Sequence, residues 1–255
     1  MQIKITYVFH NCFIVKLPDK TLLFDYPGPE FLNAAIEETV LSQINATNLY
    51  VFASHFHPDH FNREVTRLGA KARQAKFIFS KDIVKKNPGF RDNPSCLAVA
   101  PDQAYPLDDL TITTFRSNDA GVAFLIRACA RKSAGLAIYF GGDLANWAWE
   151  DNNRQERQLL EEYFGAVLER IQKILPAGQP LHIAFSNTDA RLKNWSGAAQ
   201  FIAAVNPRLF VPMHAFGQTD TITGFIAEHP QIQTPLFHYQ KTGDEMILDV
   251  APATG

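Results

Sequence analysis

The pattern of apolar runs predicts an α+β fold, an αββα four-layer sandwich with two face-to-face sheets and helices outside. Three observations carry this expectation. Short strands crowd the first half of the chain, helices enter between strands in the second, and no linker is long enough to separate the halves. At 255 residues the chain suits one domain covering 1–255.

Met1 to Val8 and Cys12 to Leu17 alternate or run apolar, with His10-Asn11 as the turn between them. Pro18-Asp19-Lys20 then turns the chain into a third strand ending at Asp25, which completes an antiparallel meander. Helical spacing of Phe31, Leu32, Ala35, Ile36 and Val40 predicts a helix within 29–43. A buried strand at 49–53 is followed by a helix over 62–74, a strand at 76–79 and a short helix at 81–86. The Pro/Asn/Gly-rich stretch 87–94 reads as an exposed loop.

Strands are expected at 96–100, 110–116, 121–127 and 136–140. The longest helix is expected over 151–175, with Phe164, Val167, Leu168 and Ile171 on its apolar face. Strand 181–185, helix 195–204, strand 208–211, helix 219–228 and strands 234–239 and 245–250 complete the order.

Composition narrows the function. The chain is 46% hydrophobic and 20% charged, with a formal net charge of −2 and no basic block, so nucleic acid is not a favoured partner. No apolar run approaches bilayer length, so no membrane partner is expected. Cys12, Cys96 and Cys129 are scattered, form no Cys-x-x-Cys pair and have apolar neighbours, which suits buried thiols in a reducing, cytoplasmic compartment. A small-molecule substrate is the expected partner; oligomeric state is left open.

Chemistry concentrates in residues 54–60, Ser-His-Phe-His-Pro-Asp-His. His55, His57, Asp59 and His60 fall just after an apolar strand, and a tight turn at Pro58 aims several ligands into one volume. Imidazole and carboxylate suit zinc, iron or manganese. Packing does not call for such spacing. By contrast His10, His182, His229 and His238 read as ordinary polar residues. Two further strand ends carry ligand types: Leu136 to Phe140 runs into Gly141-Gly142-Asp143, and Leu209 to Met213 runs into His214. In Asp189-Ala190-Arg191, after another apolar strand, a surface ion pair is favoured over substrate contact. Trp147, Trp149 and Phe216 sit beside ligand segments and suit either a pocket wall or core.

In this order, Leu23-Phe24-Asp25, the His-x-His-x-Asp-His loop, Gly-Gly-Asp143 and late His214 resemble the metallo-β-lactamase superfamily of metal-dependent hydrolases, over nearly the whole chain. The segments 117–121, 142–147 and 212–214 are similar to a bacterial branch loosely related to ascorbate-phosphate lactonase-like proteins. The resemblance implies two divalent metal ions, zinc favoured with manganese or iron as alternatives. His55 and His57 would hold the first, Asp59, His60 and His214 the second, and Asp143 would bridge. Asp25 would orient a ligand from behind, and Asp59 would orient the attacking water or take its proton. Beside the resemblance, Asp189, Arg191 and Trp147 are the candidates for substrate contact, against the surface ion pair and core readings given above.

One departure stands out, because the family's third histidine of the first site is absent. Asp119 lies nearest that place, and would either replace it or leave the site weak or empty. The implied activity is attack of a metal-activated water on a small ester, lactone or phosphoester. The rival readings are a degenerate, non-catalytic metal- or ligand-binding protein on the same fold and, behind it, a nuclease or a di-iron redox protein.

Overall fold

The computed structural model describes residues 1–128 and 135–250, so Cys129 lies outside the described residues. The first sheet contains Gln2–Phe9 (β1), Cys12–Lys16 (β2), Thr21–Phe24 (β3), Asn48–Ala53 (β4), Gln74–Ser80 (β5) and Cys96–Val99 (β6). The second contains Ala104–Leu107 (β7), Leu110–Arg116 (β8), Val122–Ala128 (β9), Ala137–Phe140 (β10), Ile183–Asn187 (β11) and Leu209–Met213 (β12). Glu245–Asp249 (β13) returns to the first sheet, whose order is β13-β1-β2-β3-β4-β5-β6; the second runs β12-β11-β10-β9-β8-β7. Both sheets are mixed. β1 to β3 form the antiparallel meander, β3 to β6 run parallel, and β10 to β12 run parallel behind the antiparallel β7 to β10.

Burial on both faces explains why the central strands read as continuous apolar runs. In β3 and β4, Leu22, Phe24 and Phe52 face the opposing sheet, where they meet Phe124, Ile138, Phe140 and Phe185. Phe24 stacks on Phe140 across that interface with ring centroids 4.5 Å apart. Leu23 and Val51 face the other way, against Ile36, Val40 and Ile44 of Ala34–Ile44 (α1) and beside Val65–Gly69 (α2) and Lys81–Lys86 (α3). Outside the second sheet lie Arg154–Ile174 (α4), Ala198–Val205 (α5) and Thr221–Glu228 (α6). In α4, Asn153 and Glu156 close a capping box, and Phe164, Val167, Leu168 and Ile171 bury one stripe at helical spacing. The four layers are those expected.

Three local expectations change. The helix over 62–74 shrinks to α2, because Arg73 and Gln74 give their N–H groups to Thr47 and start the pairing of β5 with β4. The strand at 234–239 is a single bridge, Leu236 to Phe210, next to Pro235, which has no N–H for a ladder. β7 is unforeseen: it is short, half-exposed and carries Pro106, as suits the edge strand it is.

His182 is buried at the start of β11, where its Nδ1 accepts from the Ala137 N–H at 3.1 Å. Burial first, then the Arg208 charge, lowers its pKa from 6.5 to about 4. The folded group therefore resists a proton that the unfolded chain accepts, so its contribution is intact above pH 6.5 and fades toward pH 4. His182→Gln retains an acceptor without titrating. In urea titrations from pH 7 to pH 4 it should show a shallower loss of stability than the parent; an unchanged slope would mean that His182 charges freely in the fold.

Candidate metal centre

Parallel strands ending at one rim bring the centre together. β3 ends at Asp25, β4 at the 54–60 loop, β10 at Asp143, β11 before Asp189 and β12 at His214. Because β2 is antiparallel to β3, and β9 to β10, the 10–11 turn and the 117–121 turn reach the same rim. Two glycines let the sheets approach there. A Cβ on Gly121 would lie 2.0 Å from the Ser54 carbonyl oxygen, and one on Gly142 would lie 2.6 Å from Ser54 Cβ. His10, Asp25, His214 and Phe216 all adopt positive φ at this rim, a left-handed conformation costing about 1–2 kcal/mol per residue.

Two groups of ligand atoms converge, each within 4.8 Å of one another. One contains His55, His57, Asp119 and Asp143; the other contains His10, His60 and His214. Asp143 links them, with Oδ2 3.5 Å from His55 Nε2 and Oδ1 3.3 Å from His60 Nε2 and 3.8 Å from His214 Nε2. Asp59 Oδ2 lies 3.4 Å from His10 Nε2 and 3.5 Å from His60 Nε2. Asp119 Oδ2 lies 3.6 Å from His57 Nδ1, in the region of the absent histidine.

Hydrogen bonds behind the rings decide which nitrogens can ligate. His60 Nδ1 donates to Asp25 Oδ2 at 2.7 Å, and His214 Nδ1 donates to Asp189 Oδ2 at 2.9 Å. Each bond fixes its ring with Nε2 aimed into the centre. Ser54 Oγ spends its proton on Asp25, so it accepts from His55 Nδ1 and turns His55 Nε2 into the centre, where it meets His57 Nδ1 at 2.9 Å. His10 is the opposite case. Its Nδ1 accepts from the Phe216 N–H at 3.2 Å, which puts the proton of the neutral ring on Nε2. His10 can donate toward Asp59, and it has no lone pair on that side for a cation.

The electrostatics fit a divalent cation. The buried His60 Nε2 has no aligned hydrogen-bond partner among the described residues. Asp25, Asp59, Asp119, Asp143 and Asp189 gather at this rim, where Arg191 pairs with Asp189, and this concentration of carboxylates suits a divalent cation. Burial holds His10 and His55 down at about 3, so both are neutral. Burial also pushes Asp59 and Asp143 upward, but the surrounding imidazoles outweigh it and keep both ionised. For His60, burial works against protonation, and the carboxylates of Asp143, Asp25 and Asp59 overcome it, so a cation arriving there displaces a proton.

Several expectations about residues change. His10, read as an ordinary polar residue, lies at the heart of the centre. Asn11 also went unnoticed: its Oδ1 accepts from the His214 N–H at 2.8 Å, and its Nδ2 donates to Asp143 Oδ1 at 3.3 Å. A tight turn holding two polar residues between buried strands was the available sign. Asp189 and Arg191 do pair, but Asp189 is buried behind His214, so the pair is not an ordinary surface one. Trp147 and Trp149 line a cavity of about 410 Å³ beside Asp119, Asp143, Arg191 and His214, and Trp147 Nε1 donates to the Asp143 carbonyl at 2.9 Å. Arg116 pairs with Asp102 and Lys193 with Glu150, away from this cavity.

No family model matches the chain, and no curated protein matches it in sequence. Its structure is similar to that of Igni18, a metallo hydrolase from the archaeon Ignicoccus hospitalis, with TM-score 0.64 at 16% identity over 98% of this chain and 100% of that one. It is likewise similar to YhfI, a metallo-beta-lactamase fold protein from Bacillus subtilis, with TM-score 0.61 at 13% identity over 96% of this chain and 99% of the other. CmlA, a diiron β-hydroxylase from Streptomyces venezuelae, gives TM-score 0.57 at 12% identity over 97% of this chain but 54% of its own. The chain has the metallo-β-lactamase fold.

The ring tautomers separate His10 from its neighbours experimentally. Elemental analysis of His10→Ala should find the same number of ions per chain as in the parent, while His60→Ala should lose at least one. Loss of an ion from the His10 variant would show that this imidazole ligates through Nε2 after all.

Proposed function

We propose that the chain is a metal-dependent hydrolase of the metallo-β-lactamase superfamily, acting on a small ester, lactone or phosphoester. The observation that carries this reading is the convergence of Nε2 atoms from His55, His60 and His214 on the Asp143 carboxylate, each ring fixed from behind. In this reading His55, His57, Asp119 and Asp143 hold one divalent ion, and Asp59, His60, His214 and Asp143 hold the other. Bound there, such ions activate water as a nucleophile at neutral pH and stabilise negative charge on a reacting oxygen.

The chain's own groups supply the rest. Asp59 orients the attacking water and takes its proton, and His10 Nε2–H steadies that carboxylate from the far side. Asp25 and Asp189 hold His60 and His214 in the ligating tautomer. Trp147 and Trp149 wall the cavity and exclude bulk water from the reacting side.

Zinc is the favoured ion on the strength of the histidines. The second reading, iron or manganese, is supported by Asp119 standing where an imidazole is expected, since added carboxylate favours the harder ions. It also brings in di-iron redox chemistry of the kind named for CmlA. The membership, the substrate class and the ligand set are tested together. Elemental analysis of the purified chain should find two divalent ions, and His57→Ala should lose ion from the first position and slow hydrolysis of a responsive ester by at least about 100-fold. Full turnover in His57→Ala would refute the ligand set. No turnover across carboxylic esters, lactones and phosphoesters would favour a non-catalytic binding protein, and two irons per chain would favour redox chemistry.

A further inference from the structure

We propose that the cavity beside the metal centre contains an anion subsite built on Arg191, so that the substrate carries a carboxylate or phosphate group in addition to an apolar part. The inference rests on the hydrolase reading only for the reacting end of that molecule.

Arg191 is the one permanent cation lining the cavity among the described residues. Its guanidinium uses a single edge for the protein. Nε donates to both Asp189 oxygens at 2.9 and 3.0 Å, and Nη2 donates to Oδ2 at 2.5 Å. A guanidinium has a second edge of parallel N–H groups, formed by Nη1 and the remaining proton of Nη2. Nothing among the described residues accepts from Nη1, and the side chain is 57% exposed. That edge is free for a carboxylate or a phosphate, both of which match its geometry.

The group is also pre-positioned. Its central carbon lies 5.4 Å from the Trp149 ring centroid and 5.5 Å from that of Phe216. Asp189, which orients it, is itself buried and tied to His214. Rotamer freedom already lost to the fold is not lost again on binding, so a second anion binds with a smaller entropic penalty. The other cations near this rim are committed, Lys193 to Glu150 at 2.9 Å and Arg116 to Asp102 at 3.7 Å. Trp147, Trp149 and Leu160 supply the apolar wall, and about 410 Å³ suits a small molecule.

The test uses the metal-loaded full chain and probes that do not turn over. Phenylphosphonate, phenylacetate and benzyl alcohol are titrated calorimetrically, with quenching of tryptophan fluorescence as a second readout. At least one anion should bind more tightly than benzyl alcohol, and the tighter of the two identifies phosphate or carboxylate as the preferred group. Arg191→Gln should weaken that anion at least about tenfold, leave benzyl alcohol unchanged and keep the parent's metal content. Arg191→Lys keeps the charge but not the fork, so it should fall between the two; it decides the question if the Gln variant does not fold. Anion binding as tight in both variants as in the parent would overturn the proposal. So would parallel loss of metal and of all three probes, which would make Arg191 only a clamp on Asp189 and His214. Arg191-dependent anion binding without ester turnover in the parent would remove the hydrolase reading and leave the subsite standing.

Discussion

The rim depends above all on the Asp25 carboxylate. It is fully buried and accepts three hydrogen bonds: from the Ser54 N–H at 2.7 Å, from Ser54 Oγ at 2.7 Å and from His60 Nδ1 at 2.7 Å. A buried carboxylate without such donors would cost several kcal/mol. The three bonds offset that cost and join the ends of β3 and β4. They also orient two rings of the candidate centre: His60 Nδ1 donates to Asp25 directly, and His55 Nδ1 donates to Ser54 Oγ. One charge thus fixes the entry of the 54–60 loop and the direction of two Nε2 atoms.

The fold was legible because its strands are buried on both faces. Runs such as Leu22-Leu23-Phe24 and Tyr50-Val51-Phe52 need an apolar neighbour on either side, which implies two sheets with helices outside. Errors fell where local preference lost to pairing, as when β5 claimed the end of the helix expected over 62–74. The candidate ligands that follow strands directly, at 55–60, 143 and 214, were legible as a set, and the structure brings them to one rim. His10 and Asn11 escaped because they act across the fold. His10 meets Phe216 and Asp59, and Asn11 meets His214 and Asp143, and no spacing along the chain records such meetings.

His10 also shows why proximity alone does not define a ligand. Its ring centroid lies 4.5 Å from that of His214, close to the 4.1 Å between the candidate ligands His55 and His60. A single backbone N–H, from Phe216, reverses its role by occupying Nδ1. Phe216 then stacks on the same ring at 3.8 Å, so the tautomer and the ring orientation are set by one residue. The positive φ of both His10 and Phe216 is the local cost of that arrangement.

The two halves of the centre are unequal in support. His60 and His214 are buried, and each has a carboxylate behind it, so their Nε2 atoms are held before any ion arrives. His57 and Asp119 are 51% and 44% exposed, and among the described residues no carboxylate within hydrogen-bond distance holds the His57 ring, whose Nδ1 meets His55 Nε2 at 2.9 Å. Organising those two side chains costs entropy at the moment of binding, and solvent competes for both. The half nearest the most conspicuous motif is therefore the softer one. Asp119 adds negative charge there, which favours a cation, but at 44% exposed it does not supply the rigidity that a buried ring would give.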